Sequence, residues 1–141
     1  RGGGLPRYLG IARDDRAVTR ALITEGVASS DVLLIAGGVS VGDYDLVPGV
    51  LQELGVTVHF RQVRVKPGKP LLFGTAPNGA LVFGLPGNPV SSFVSFELFV
   101  RPALRILGGH AEAGPRTMRL PLAEAVAEVN DRPTYRPAKL E

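Results

Sequence analysis

The sequence predicts an α/β fold with a mostly parallel sheet, and three observations carry that expectation. Asp31 to Ala36 holds an uninterrupted Val-Leu-Leu-Ile, the pattern of a strand buried on both faces of a parallel sheet. Strand-like and helix-like segments alternate along the chain, which is the signature of helices packed on a central sheet. Glycine-rich stretches follow strands directly, at Gly37–Asp43 and Gly84–Ser91, where such folds place their ligand loops.

Each element has a local reason. Residues 1–7 are rich in Gly and Arg and read as loose, and Tyr8 to Ala12 reads as a short strand. Asp14 or Asp15 can cap the helix that follows, because a carboxylate there accepts the orphan amides of a first turn. Ala17, Val18, Ala21, Leu22 and Val27 recur at helical spacing. Asp45 can cap a second helix, with Pro48 in its first turn and Gly55 at its end. From Val56 to Val65 the pattern alternates, with Val56, Val58 and Phe60 opposite Thr57, His59 and Arg61. Leu71 to Phe73 and Ala80 to Phe83 flank Pro77-Asn78-Gly79, so they should pair as an antiparallel hairpin. Asn88-Pro89 opens a long apolar helix that should kink or break near Pro102 and close at Gly108-Gly109. Residues 1–112 form the α/β unit in this reading. Residues 113–141, weakly alternating and proline-rich, read as a linker and the start of a β-rich unit.

Bulk properties exclude several classes. The 141 residues suffice for one domain with a real core, and 45% hydrophobic with 21% charged residues is ordinary for a globular protein. Net charge is +3, and the basic residues are scattered without aromatic interleaving, so nucleic-acid binding is not indicated. There is no cysteine, which excludes disulfides and thiolate metal sites. The apolar runs are too short to span a bilayer, no signal peptide is visible, and a cytoplasmic location is expected.

Three loops carry candidate chemistry. Of the 16 basic residues only three are lysine, and two of those, Lys66 and Lys69, lie in Lys-Pro-Gly-Lys-Pro. An ammonium is a compact point charge where a guanidinium is a broad fork, so a stiff loop with two lysines suits a small oxyanion or a phosphate. A tight surface turn with incidental lysines is the bland alternative. Gly37, Gly38, Ser40 and Gly42 would let backbone amides approach a phosphate, and Asp43 at the cradle's edge could hold Mg²⁺. The spacing fits neither a Walker A loop nor the dinucleotide fingerprint. Gly87, Asn88 and Ser91 stand at a helix N-terminus, whose amides and dipole also attract anions, although Asn88 serves equally as a plain cap. If the three preceding strands run parallel, all three loops converge on one edge. His59 and His110 read as surface residues, and Phe93, Phe96 and Phe99 as core or helix-packing side chains.

Gly37–Asp45, Lys66–Pro70 and Gly84–Ser91 occur in this order and at similar spacing in the molybdopterin molybdenumtransferases, the MoeA family, with gephyrin-type eukaryotic relatives. The chain resembles that family over about residues 8–110. The resemblance implies a three-layer α/β/α, MogA-like molybdopterin-binding domain, followed by the truncated start of a C-terminal β-barrel. It implies transfer of molybdate into adenylylated molybdopterin with release of AMP, assisted by Mg²⁺ or another divalent cation, in a homodimer of the full-length protein. It implies that Lys66, Lys69, Pro70 and Ser91 surround the molybdate. Gly37, Gly38, Ser40, Gly42, Gly87 and Asn88 would serve the pterin and phosphate, and Asp43 would be a metal or catalytic carboxylate. Ala36 departs from the Ser or Thr often found there, and an upstream strand with an acidic segment is missing from the pattern. The chain alone is therefore expected to bind weakly and not to turn over. A molybdopterin-binding module without catalysis and a scaffold domain are the competing classes; the intact lysine loop favours the enzyme.

Overall fold

The computed structural model describes residues 3–39, 45–127 and 130–139. The elements run α1 (Arg16–Ser29), β1 (Val32–Ala36), α2 (Leu46–Glu53), β2 (Thr57–Gln62), β3 (Pro70–Thr75), β4 (Leu81–Leu85) and α3 (Pro89–Ser95). A π-helical segment (Phe96–Val100) then leads into α4 (Arg101–Leu107). The sheet order is β1-β4-β3-β2. β1 and β4 are parallel, while β3 is antiparallel to both β4 and β2. The sheet is thus mixed: three strands share one direction and β3 opposes them.

Two cores flank this sheet. On one face Ile23 from α1 and Val47, Val50 and Leu51 from α2 cover Leu33, Leu72 and Val82. On the other, Phe96, Phe99, Val100, Ala103 and Leu104 cover Leu71, Phe83 and Leu85. This is the expected three-layer arrangement.

The punctuation residues act as their chemistry dictates. Asp15 is the cap of α1, its carboxylate accepting from the Val18 amide at 2.9 Å. α2 and α4 both end in a left-handed glycine, Gly55 (φ 73°) and Gly109 (φ 77°). After each, two reversed bonds satisfy the last carbonyls: Gly55 to Gln52 and Val56 to Leu51, then Gly109 to Ile106 and His110 to Arg105. The Asn78-Gly79 turn closes the β3–β4 hairpin, with the Ala76 amide donating to the Ala80 carbonyl and Asn78 Nδ2 tying it to Val27 of α1.

Four expectations are corrected. Tyr8 to Ala12 is not a strand: no backbone ladder holds it, and Tyr8 and Ile11 are exposed. β1 is not buried on both faces. It is an edge strand of the described sheet: Leu33 and Ile35 pack on one core and Val32 on the other, but Leu34 is 42% exposed. α1 turns Thr19, Ile23 and Gly26 inward and leaves Ala17, Val18 and Ala21 exposed. The reason is Gly26, which lets the helix approach so closely that a Cβ there would stand 2.5 Å from Leu33 Cδ1. Phe60 does not share a face with Val58, because a bulge between them sends Phe60 to the opposite core, against Phe73 at 5.5 Å. The irregularity expected near Pro102 is present as a π turn just before it, which widens the spiral where the proline ring would press on the preceding carbonyls.

From His110 to Lys139 the described residues contain no helix or strand, apart from a single bridge between Thr134 and Lys66.

Candidate functional site

Strand directions bring the three loops together. Because β2 runs with β1 and β4, the carboxyl ends of all three and the amino end of β3 lie at one sheet edge. The Gly37 amide donates to the Leu85 carbonyl at 3.0 Å, extending the β1–β4 ladder into the loops. A Cβ at Gly87 would stand 3.7 Å from Gly37 Cα, so the two glycine loops touch. Gly37 (φ 84°) and Gly38 (φ 65°) both take the left-handed conformation, which a side chain would strain. Ser40, Gly42 and Asp43 lie outside the described residues.

The lysine turn rests on α3. The Lys66–Pro67 peptide is cis, and Gly68 (φ 110°) is buried against the helix, where a Cβ would meet Ser95 Oγ at 2.9 Å and the Ser91 carbonyl at 3.4 Å. The Val63 amide donates to the Lys69 carbonyl at 2.9 Å and closes the turn. Pro70 opens β3 directly after it. Lys69 is exposed and Lys66 half-buried.

Sequence reasoning missed the partner of Lys66. Its backbone amide donates to the Pro133 carbonyl at 2.9 Å, its carbonyl accepts from the Tyr135 amide at 2.7 Å, and its Nζ donates to Asn130 Oδ1 at 3.0 Å. Arg64 reaches the Asp131 carbonyl beside it. Residues 130–135 thus lie along the candidate site. The pairing runs mainly through backbone groups, which leave no signature in side-chain type; only polar Asn130 gave a signal.

The N-terminus of α3 is a well-made cap. Asn88 Oδ1 accepts from the Val90 and Ser91 amides at 3.0 and 3.2 Å, and the Asn88 carbonyl takes the Ser92 amide. The Ser92 hydroxyl donates to the Pro86 carbonyl, tying loop to helix. The first-turn amides are therefore engaged, and an anion here would meet the helix dipole and the exposed Gly87–Asn88 backbone instead. Ser91 is buried on the side facing the lysine turn.

Asp45 occupies the N-cap of α2 without a side-chain cap bond, and its Oδ2 is buried with no partner among the described residues. Capping does not account for that carboxylate. No three His, Asp or Glu side chains gather as a metal centre among the described residues.

The fold and loops define a three-layer α/β/α domain whose glycine and lysine loops meet at one sheet edge. A family profile described as "Probable molybdopterin binding domain" matches residues 1–106, and the chain belongs to that family. The chain is 42% identical over 112 residues to a molybdopterin molybdenumtransferase from Nostoc sp., covering 78% of this chain and 26% of that protein. It is 37% identical over 154 residues to gephyrin from Dictyostelium discoideum, covering 94% of this chain and 21% of that one. A solved structure, the molybdopterin biosynthesis MoeA protein from Pyrococcus horikosii, superposes with a TM-score of 0.64 at 40% identity over 75% of this chain and 26% of that chain. The chain therefore spans about a quarter of the length of these relatives. No helix among the described residues is long and apolar enough to cross a membrane.

Proposed function

We propose that this chain is the molybdopterin-binding part of a molybdenum cofactor biosynthesis enzyme that transfers molybdate into adenylylated molybdopterin and releases AMP. The convergence of the Gly37, Lys66–Pro70 and Gly87 loops on one sheet edge carries this reading. In it, Lys66 and Lys69 supply two ammonium charges to the molybdate, with Pro70 and Ser91 shaping its surroundings. The Gly37-Gly38 backbone and the Gly87-Asn88 loop receive the pterin phosphate side, together with Ser40 and Gly42.

The orphaned Oδ2 of Asp45 fits a cation role, and Asp43, two residues earlier, would join it. Mg²⁺ needs only one or two carboxylates when phosphate oxygens complete its shell. It would supply positive charge to offset the phosphates; the chain's own contribution would be the Asp45 carboxylate at the start of α2, with Asp43 as the expected second one. The remaining residues bind and orient: Lys69, exposed, is free to follow an entering anion, while Lys66 is held by residues 130–135. The full-length protein would act as a cytoplasmic homodimer, with residues 113–141 opening its β-rich domain.

Calorimetry with molybdate, and separately with AMP or a pterin phosphate, tests the reading. Lys69→Ala should weaken molybdate binding by about tenfold, the scale of a lost charge-assisted contact, and Lys69→Arg should weaken it too because a planar fork does not reproduce a point charge. Phosphate-ligand binding should survive both. Unchanged molybdate binding in both variants would remove the enzyme assignment, and phosphate binding without any molybdate response would mark a non-catalytic module.

A further inference from the structure

We propose that Ser95 is a positioning residue that sets the height of the Lys66–Lys69 turn over α3; this rests on the assignment of that turn to the oxyanion. Ser95 is fully buried, yet its Oγ has no hydrogen-bond partner among the described residues. Such groups are rare in folded proteins and call for a reason. The hydroxyls in or beside α1 turn back to the carbonyl four residues earlier, Thr19 to Asp15, Thr24 to Arg20, Ser29 to Glu25 and Ser30 to Gly26, and Ser92 of α3 finds the Pro86 carbonyl. Ser95 does not take the equivalent bond to Ser91.

Its Oγ points instead toward Gly68, the residue between the two lysines, where a Cβ would lie only 2.9 Å away. The turn therefore sits directly on the hydroxyl. Gly68 (φ 110°) cannot carry a side chain there, and an empty space beneath it would let the turn sink. The π segment begins at Phe96, immediately after Ser95, and its wider spiral accompanies the departure of this hydroxyl from ordinary helical bonding. Alanine at 95 would remove an unsatisfied polar atom and leave the helix otherwise intact.

Three variants of the chain, Ser95→Ala, Ser95→Val and Ser95→Thr, test the role through two readouts. The Val63 amide, bonded to the Lys69 carbonyl across the turn, reports its closure by hydrogen exchange without any ligand. In Ser95→Ala that amide should exchange about tenfold faster while α1 and α2 keep their protection. Molybdate binding should weaken by about tenfold, because a displaced charge loses its geometry. The thermal midpoint should stay level or rise. Because the seat is a contact and not a hydrogen bond, Ser95→Thr and Ser95→Val, which both keep a heavy atom at the γ position, should hold Val63 protection closer to the parent than Ser95→Ala does. Unchanged Val63 exchange in Ser95→Ala overturns the proposal, and so does a loss of protection spread evenly over the domain. Faster Val63 exchange in a chain that binds no molybdate at all would keep Ser95 as the seat of the turn while removing the oxyanion assignment.

Discussion

Residues 16–107 and residues 110–139 meet at Lys66 but are held in place by opposite means. The first region buries its apolar side chains: Leu51, Leu71, Leu72, Val50, Val82 and Val100 have no exposed surface. The second leaves them out, with Met118, Leu120, Leu122 and Val126 all more than half exposed. Its described attachments include the backbone pair around Lys66 and the side-chain bonds of Lys66 and Arg64. Burial contributes in proportion to area, whereas a solvent-accessible hydrogen bond exchanges one partner for water and adds little. The body can therefore stand without the segment, but the segment has no core with which to stand without the body. One of the two candidate lysines is lodged between these regions.

That asymmetry can be broken from the strong side. Leu72→Ala opens a hole in a fully buried position and should cost about 2–5 kcal/mol in denaturant unfolding, with the segment released in the same transition. A loss under about 1 kcal/mol would mean that the site collapses freely and that the body is not held by this core. Gly84→Ala sets a methyl 2.5 Å from Val39 Cγ1 and 3.1 Å from Leu72 Cβ, and overpacking there should cost about 1–3 kcal/mol by thermal melting. Asn88→Ala removes the cap of α3 and should cost about 1 kcal/mol, visible as a small fall in thermal midpoint. Removal of residues 130–139 should be the mildest, shifting the body by less than about 1 kcal/mol because polar contacts and little buried apolar area are lost. Lys66 should then react faster with an acylating reagent, read by mass spectrometry, while Lys69 stays unchanged. A large fall in stability after this truncation would make the two regions one cooperative unit.

Elements specified by local chemistry were legible in the sequence. Asp15 and Asn88 cap, Gly55 and Gly109 terminate, and Asn78-Gly79 turns, because each needs only its immediate neighbours. The candidate site was legible for the same reason: its motifs are contiguous, and strand order brings them to one edge. Features set by distant partners were not. Leu34 reads as core and lies exposed because β1 has a neighbour on only one side. Phe60 follows a perfect alternation that a bulge reverses, and a bulge leaves no mark in hydrophobic pattern. Asp45 looked like a cap and makes no cap bond. The docking of Thr134 beside Lys66 is a backbone event between residues far apart in the chain.

The parallel pairing of β1 with β4 also sets an order of assembly. Between them in the chain come α2, β2 and β3, while β3 and β4 are joined by a tight turn. The hairpin closes a short loop and can form quickly, but the β1–β4 ladder must close a long one against chain entropy. Gly37 and Gly87 come into contact only when that ladder is complete. The paired glycine loops would thus be absent from any partly folded chain, so a ligand that needs both loops recognises only molecules that have finished folding.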